Sequence, residues 1–343
     1  MTDQSPAERL KQSGLPVMLI TEDAITATYS ESVGVRVTIR RAQPHNMEDK
    51  VMATQEMLNT NEDRGCLTGL KKIVIGHDFS DAADCAFADT MALAGRFNAR
   101  IIVAHAREGD TDKTAIYQDD QQVKEEMNNL INRIARAGYS SQEVIRSGRA
   151  VATLCDVVDE ESADLLIVGA YGNGSKDRAT LGSTAELLLR SIPCPVLTYG
   201  PKFGRPLFQR DEPFSILVPI ELPCDPRCLS FAIHVAKLFK AKLEILHVVD
   251  MDRAISMPHA FQDMQYTCEN IAACLRAGDI EVAGSLLFGK PDTAIVSRCR
   301  ELQCSFILMP LETRGHLSSD RSDNIAAKVI RTTEVPVMTY RIN

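Results

Sequence analysis

The chain has 343 residues, enough for about two domains. At 45% hydrophobic and 24% charged residues, it supports a buried core and excludes global disorder. A net charge of −8, aromatics at 5% and no Trp argue against nucleic-acid binding through a basic footprint or base stacking.

Residues 1–70 read as an N-terminal extension, partly disordered or docked on the main body. They hold one aromatic, Tyr29, and one alternating run, Val33 to Ile39, that predicts a strand. The opening MTDQSPAERL has no basic-then-apolar leader pattern, and no apolar run approaches the ~20 residues of a membrane span. A cytoplasmic location without membrane contact is therefore expected. From Lys71 the texture changes. Ile73-Val74-Ile75 predicts a strand, Asp81 to Phe97 a helix, and Ala99 to Ala106 a second strand. The apolar stripe Val123, Met127, Leu130, Ile131, Ile134 predicts a helix over 121–137. Gln142 to Ser147 is a weak third strand, Val151 to Glu161 a helix, and Leu165 to Val168 a fourth strand. Gly182-Ser183-Thr184 opens a further helix, and Val196 to Tyr199 forms a fifth strand. Apolar strands alternating with helices predict α/β architecture with a parallel sheet covered on both faces.

After a Pro- and Gly-bearing connector at 201–213, the order recurs. "SILVPIELP" matches "KIVIGHDFS", "LFKAKLEILHVV" matches "RFNARIIVAHA", "CSFILMP" matches "ADLLIVG", and "EVPVMTY" matches "PCPVLTY". His247 thereby falls on His105, and Tyr340 on Tyr199. The economical explanation is an internal duplication, with one repeat over 71–200 and the other over 214–343.

Gly169, Gly172 and Gly182-Ser183 form G-x2-G-x9-G-S. The first glycine follows a predicted buried strand and the last opens a helix, the setting in which backbone approaches a phosphate. Glycine permits positive φ and leaves no Cβ in the ligand's way. Lys176 and Arg178 lie between these glycines and are candidates for a phosphate loop, although Asp177 separates them.

With "HDFS" at a strand end, "GAYG", "LGST" and "PCPVLTY", the sequence resembles the universal stress protein family (UspA-like) over most of both repeats. The resemblance implies two tandem five-stranded parallel-sheet sandwiches of Rossmann-like, adenine nucleotide alpha-hydrolase-like type. It also implies ATP as the ligand, with or without Mg²⁺, and dimeric pairing. Carried over by position, Asp78 matches the acidic residue contacting the nucleoside, and Ala106 the strand end near the adenine. Val168, Gly169, Gly172, Gly182, Ser183 and Thr184 match the ribose and phosphate contacts. The chain departs from the family at His77, where Val or Pro-x commonly precedes the Asp.

The second repeat lacks these residues. Gly169 aligns with Pro310, Gly172 with Thr313, Gly182 with Asp323, Asp78 with Glu221 and Ser80 with Pro223. Pro310 has no N–H, and Asp323 places a carboxylate at the helix start. One nucleotide site per chain is expected, with the second domain as pseudo-twofold partner through Val196–Tyr199 and Val337–Tyr340. Homodimerisation of the tandem chain and an unidentified protein partner stay open.

Ten cysteines without a leader read as reduced core thiols; Cys224 and Cys228 form a C-x3-C pair with no matching zinc-ligand pair. The chain has no G-x4-G-K-[ST], no S-G-G-x-D-S after the first strand, and no G-x-S-x-G. No base is placed to orient a water at a γ-phosphate. A nucleotide-responsive module is therefore the leading reading. The alternatives are a nucleotide-independent scaffold, a slow ATPase, or a thiol catalyst at Cys224 and Cys228.

Overall fold

The computed structural model describes residues 25–30, 34–39, 69–107, 113–172, 182–203, 206, 208, 213–222, 224, 226–249, 280–312 and 325–342. In chain order, the strands through the first repeat are β1 (Ile25–Ser30), β2 (Gly34–Ile39), β3 (Lys72–Gly76), β4 (Arg100–Arg107), β5 (Ser141–Ser147), β6 (Leu165–Gly169) and β7 (Val196–Tyr199). Its helices are α1 (Asp81–Phe97), α2 (Lys113–Arg136), α3 (Ala150–Glu161) and α4 (Ser183–Ser191). The second repeat supplies β8 (Ser215–Ile220), α5 (Pro226–Phe239), β9 (Lys242–Val249) and β10 (Val282–Phe288). It continues with α6 (Pro291–Glu301), β11 (Phe306–Glu312), α7 (Ile325–Thr332) and β12 (Val337–Ile342). The chain folds as two compact units, Arg64–Phe214 with Ser305–Asn343, and Met1–Asp63 with Ser215–Cys304.

In the first unit, β3 is flanked by β4 and β6, both parallel to it. β5 lies beyond β4, and β7 beyond β6. The order β5-β4-β3-β6-β7 thus reverses its winding between β3 and β6, where open α/β sheets present a crevice at their strand C-termini. Ile73, Val74 and Ile75 are all fully buried, as the unbroken apolar run required by a sheet covered on both faces. β12 pairs antiparallel with β7, with Val337 opposite Thr198 and Thr339 opposite Val196; β11 runs parallel to β12. These are the final strands that the sequence places against each other.

Local chemistry sets the helix ends. Ser80 caps α1, its Oγ accepting from Ala83 N, while Asp81 and Asp84 stand in the first turn and Arg96 in the last. The helix stops at left-handed Asn98 and buries Ala83, Ala86, Phe87, Leu93 and Ala94. α2 begins at Lys113, eight residues before the helix expected over 121–137. The connector is anchored: buried Phe208 donates its N–H to Asp89 Oδ1 at 3.1 Å, and Tyr199 donates to Asp89 Oδ2 at 3.1 Å. Asp89 itself is fully buried on α1.

In the second unit, β8, β9 and β10 repeat the parallel order of β3, β4 and β5. β2 adds antiparallel to β10, with Val37 opposite Leu286, and β1 closes a hairpin on β2. The alternation at Val33 to Ile39 foretold β2. β1 was not expected, since its alternating residues Ile25, Ala27 and Tyr29 include a small one. The repeats share fine geometry. Gly148 at φ 145° donates to Arg107 O, and Gly289 at φ 140° donates to Val249 O, both in a region that only glycine enters readily.

Candidate functional site

The strand ends of β3 and β6 meet with Gly76 opposite Val168. Beyond β3 the chain turns sharply through His77, Asp78, Phe79 and Ser80, with Phe79 in the left-handed region at φ 59°. Asp78 Oδ1 accepts from Ser80 Oγ at 2.6 Å and Ser80 N at 3.2 Å. This two-residue reach is an Asx turn, and Ser80 rather than Asp78 supplies the helix cap. The Asp78 residue is exposed at the crevice.

Gly172 crosses directly over this carboxylate. A Cβ there would overlap Asp78 Oδ2. Gly169 sits against Ala82 of α1, where a Cβ would lie 3.2 Å from the Ala82 methyl. Gly182 caps α4 with φ −59°, donates its N–H to Ala170 O at 2.8 Å, and would carry a Cβ 3.0 Å from that oxygen. None of the three has positive φ, so of the two uses of glycine the missing Cβ is the one that applies here. Close approach explains them instead: to a helix at Gly169, a carboxylate at Gly172 and a carbonyl at Gly182.

No side chain caps α4 at Gly182. Its first amides belong to Ser183, Thr184 and Ala185, and carry the partial positive charge of a helix start. Val168 is buried in β6, Ala106 is half-buried near the end of β4, and Thr184 is half-buried in the first turn of α4. The structure thus brings Asp78, Gly169 and Gly172 together at two adjoining strand ends, with Gly182 tied back to Ala170 just past β6. Lys176 and Arg178 lie outside the described residues, as do Thr313, Asp323 and Pro223 of the second repeat. Pro310 lies within β11, opposite Tyr340, and Glu221 directly follows β8.

Two histidines support the turn. His77 is a buried, hydrogen-bonded histidine of the turn rather than a solvated one, its Nδ1 accepting from Phe79 N at 3.1 Å. Burial pushes the His77 imidazole down to about 4, against the opposing pull of the Asp84 and Asp78 carboxylates. Its Nε2 lies 3.7 Å from Asp84 Oδ1. His105 donates from Nδ1 to His77 O at 2.7 Å and lies 4.7 Å, ring to ring, from Phe79. His247 repeats this bond to Ile220 O at 3.0 Å. Sequence reasoning matched His105 with His247 without assigning a role; the repeat was the available signal. Both rings brace the strand end that carries the acidic residue.

Known proteins extend this picture. The family model described as "Universal stress protein family" matches residues 69–199 and 214–341. A universal stress protein from Thermus aquaticus is 29% identical over 136 residues, 37% of this chain and 96% of that protein. One from Synechocystis sp. is 25% identical over 237 residues, 68% of this chain and 76% of that protein. Among solved structures, a universal stress protein from Archaeoglobus fulgidus superposes with a TM-score of 0.61 at 20% identity, over 79% of this chain and 98% of that one. With both repeats matched and the fold shared, the chain belongs to the universal stress protein family, as a member with two tandem domains.

Proposed function

We propose that the chain is a nucleotide-responsive stress or signalling module that binds ATP at one site per chain. On this reading residues 71–200 form the binding domain, 214–343 a degenerate partner domain, and 1–70 an extension, with 201–213 between the domains. The observation that carries it is Gly172: its backbone lies where any side chain would strike the Asp78 carboxylate, two residues after Ala170, whose carbonyl holds the uncapped start of α4 at Gly182. Glycine at such a crossing leaves room for a ligand's sugar beside Asp78, and the Ser183 and Thr184 amides suit phosphate oxygens. Lys176 and Arg178 stand in the intervening segment, where cations would meet a triphosphate. Mg²⁺ would accompany the triphosphate rather than occupy a protein cage. Holding a nucleotide without a positioned base suits sensing, with slow hydrolysis as the enzymatic alternative. The protein then works in the cytoplasm, its tandem domains acting as an intramolecular dimer.

Denaturing the purified protein and assaying the supernatant for nucleotide tests this, together with the ATP dependence of the melting temperature. The expected result is bound ATP or an ATP-induced rise, lost in Gly172→Trp and kept in Thr313→Trp. Absence of both signals in the parent protein would leave the glycines as loop geometry and favour a nucleotide-independent scaffold. Equal losses in the two variants would refute a single site.

A further inference from the structure

The second repeat buries a polar cluster where the first is apolar. Glu244 of β9 and Arg298 of α6 are 6% and 5% exposed. Arg298 Nη2 and Nε donate to Glu244 Oε1 at 2.6 and 3.1 Å. Ser285 of β10 donates to the same carboxylate, and Arg298 Nη1 reaches Glu301 at 2.9 Å. At the matching positions the first repeat has Ile102, Val157 and Val144.

A thiol pair adjoins this cluster. Cys299 stands in the last turn of α6 and Cys304 just past its end, both buried and neither in a disulfide. Cys304 N donates to Cys299 O at 3.0 Å, closing the turn. The first repeat makes the same backbone bond, Ala163 N to Val158 O at 3.0 Å, with apolar side chains at both positions. The second repeat has therefore placed two sulfurs in a turn that folds equally well without them. The thiols of Cys299 and Cys304 are hydrogen-bonded to each other, and the Ser215 hydroxyl also bonds Cys304. The 3.0 Å backbone bond holds the two residues across a single turn, so closing an S–S bond of ~2.05 Å between them is a local change.

We propose that Cys299 and Cys304 form a reversible oxidation site whose oxidant is hydrogen peroxide. The Cys304 sulfur attacks one peroxide oxygen, the O–O bond breaks, and the departing hydroxide takes a proton to become water, leaving a sulfenic acid. The Cys299 sulfur then attacks the Cys304 sulfur. The S–O bond breaks, the second hydroxide leaves with the Cys299 proton as water, and the S–S bond closes. Two thiols lose two electrons and one peroxide becomes two waters; a dithiol reductant reverses the change.

Cys304 is the attacking sulfur on chemical grounds. The Cys299 hydrogen bond holds its thiol below the usual range, aided by Ser215 and the Arg298 charge and opposed by burial and the Glu244 carboxylate. Other thiols behave oppositely: burial pushes Cys194 up to about 12, and raises Cys85 and Cys155.

The test uses the reduced full-length chain. It is treated with hydrogen peroxide, its remaining thiols are alkylated under denaturing conditions, and the tryptic peptides are mapped. The expected product links the dipeptide Cys299-Arg300 to the peptide 301–314, disappears with dithiothreitol, and forms on the order of tenfold faster than oxidation at Cys194. Full alkylation of both cysteines at peroxide doses that oxidise Cys85 or Cys155 would overturn the proposal. So would linkage of either cysteine to a different partner. In Cys299→Ser, dimedone should trap a sulfenic acid at Cys304; adducts confined to other cysteines would overturn the assignment of the attacking sulfur.

Discussion

Replacing Glu244 by Ile puts the first repeat's residue into the second repeat's polar cluster and removes the carboxylate that takes two Arg298 donors. The guanidinium keeps Ser285 at 3.2 Å and Glu301 at 2.9 Å, but the latter side chain is one-third exposed. Breaking one side of a buried pair costs about 3–5 kcal/mol, and the retained Glu301 contact places this case near the lower end. At about 2–4 °C per kcal/mol for a unit of roughly 150–250 residues, the melting temperature falls by roughly 6–12 °C. Restoring the apolar set with Glu244→Ile, Arg298→Val and Ser285→Val together should return stability to within about 1 kcal/mol of the parent, since apolar replacements of buried ion pairs are commonly neutral or better. Urea unfolding followed by far-ultraviolet circular dichroism reads both variants, and the difference measures how much of the loss the apolar set recovers. A triple variant no more stable than Glu244→Ile alone would refute the premise that the two repeats offer interchangeable solutions to the same packing problem.

Three further outcomes follow from the first unit. His77 binds its proton less readily when folded than in the unfolded chain. Its stabilisation is therefore complete above about pH 6.5 and is lost as pH falls toward 4, by about 3 kcal/mol at most. Asn at position 77 can keep the bond to Phe79 N, so a pH series of urea midpoints should show a shallower acid slope in His77→Asn; an unchanged slope would move the effect elsewhere. Tyr199→Phe removes one donor from the fully buried Asp89 and should cost about 1–3 kcal/mol by chemical denaturation, with a neutral result denying that bond a role. Ser80→Ala strips the cap of α1 and should cost about 1 kcal/mol, read by hydrogen exchange at Ala83 N, which would otherwise stay protected.

Much of the fold was legible because apolar runs such as Ile73 to Ile75 and Leu165 to Val168 have no other use than a doubly covered sheet. The repeat made β8, β9, β11 and β12 readable by comparison even where their own patterns were short. The hairpin of β1 and β2 was half seen, because strand partners at a sheet edge are chosen by three-dimensional proximity and leave little trace in local spacing. At the candidate site, the glycine positions were legible but their reason was not. Sequence shows that Gly172 lacks a side chain; only coordinates show that the Asp78 carboxylate lies where that side chain would be. The brace from His105 to the His77 carbonyl was hidden for the same reason, since one of its partners is backbone and every residue has one.

The antiparallel seam between β7 and β12 brings final strands from both repeats into one polypeptide. Two separate copies meeting through such a seam would dissociate on dilution, whereas a tethered pair meets at an effective concentration set by its connector. The tether also frees the halves from identity. A change in a homodimer strikes both sides of the symmetry axis at once, but here Gly169 persists while its counterpart is Pro310, with the seam intact. Covalent joining thus lets the two halves carry different residues at corresponding strand ends.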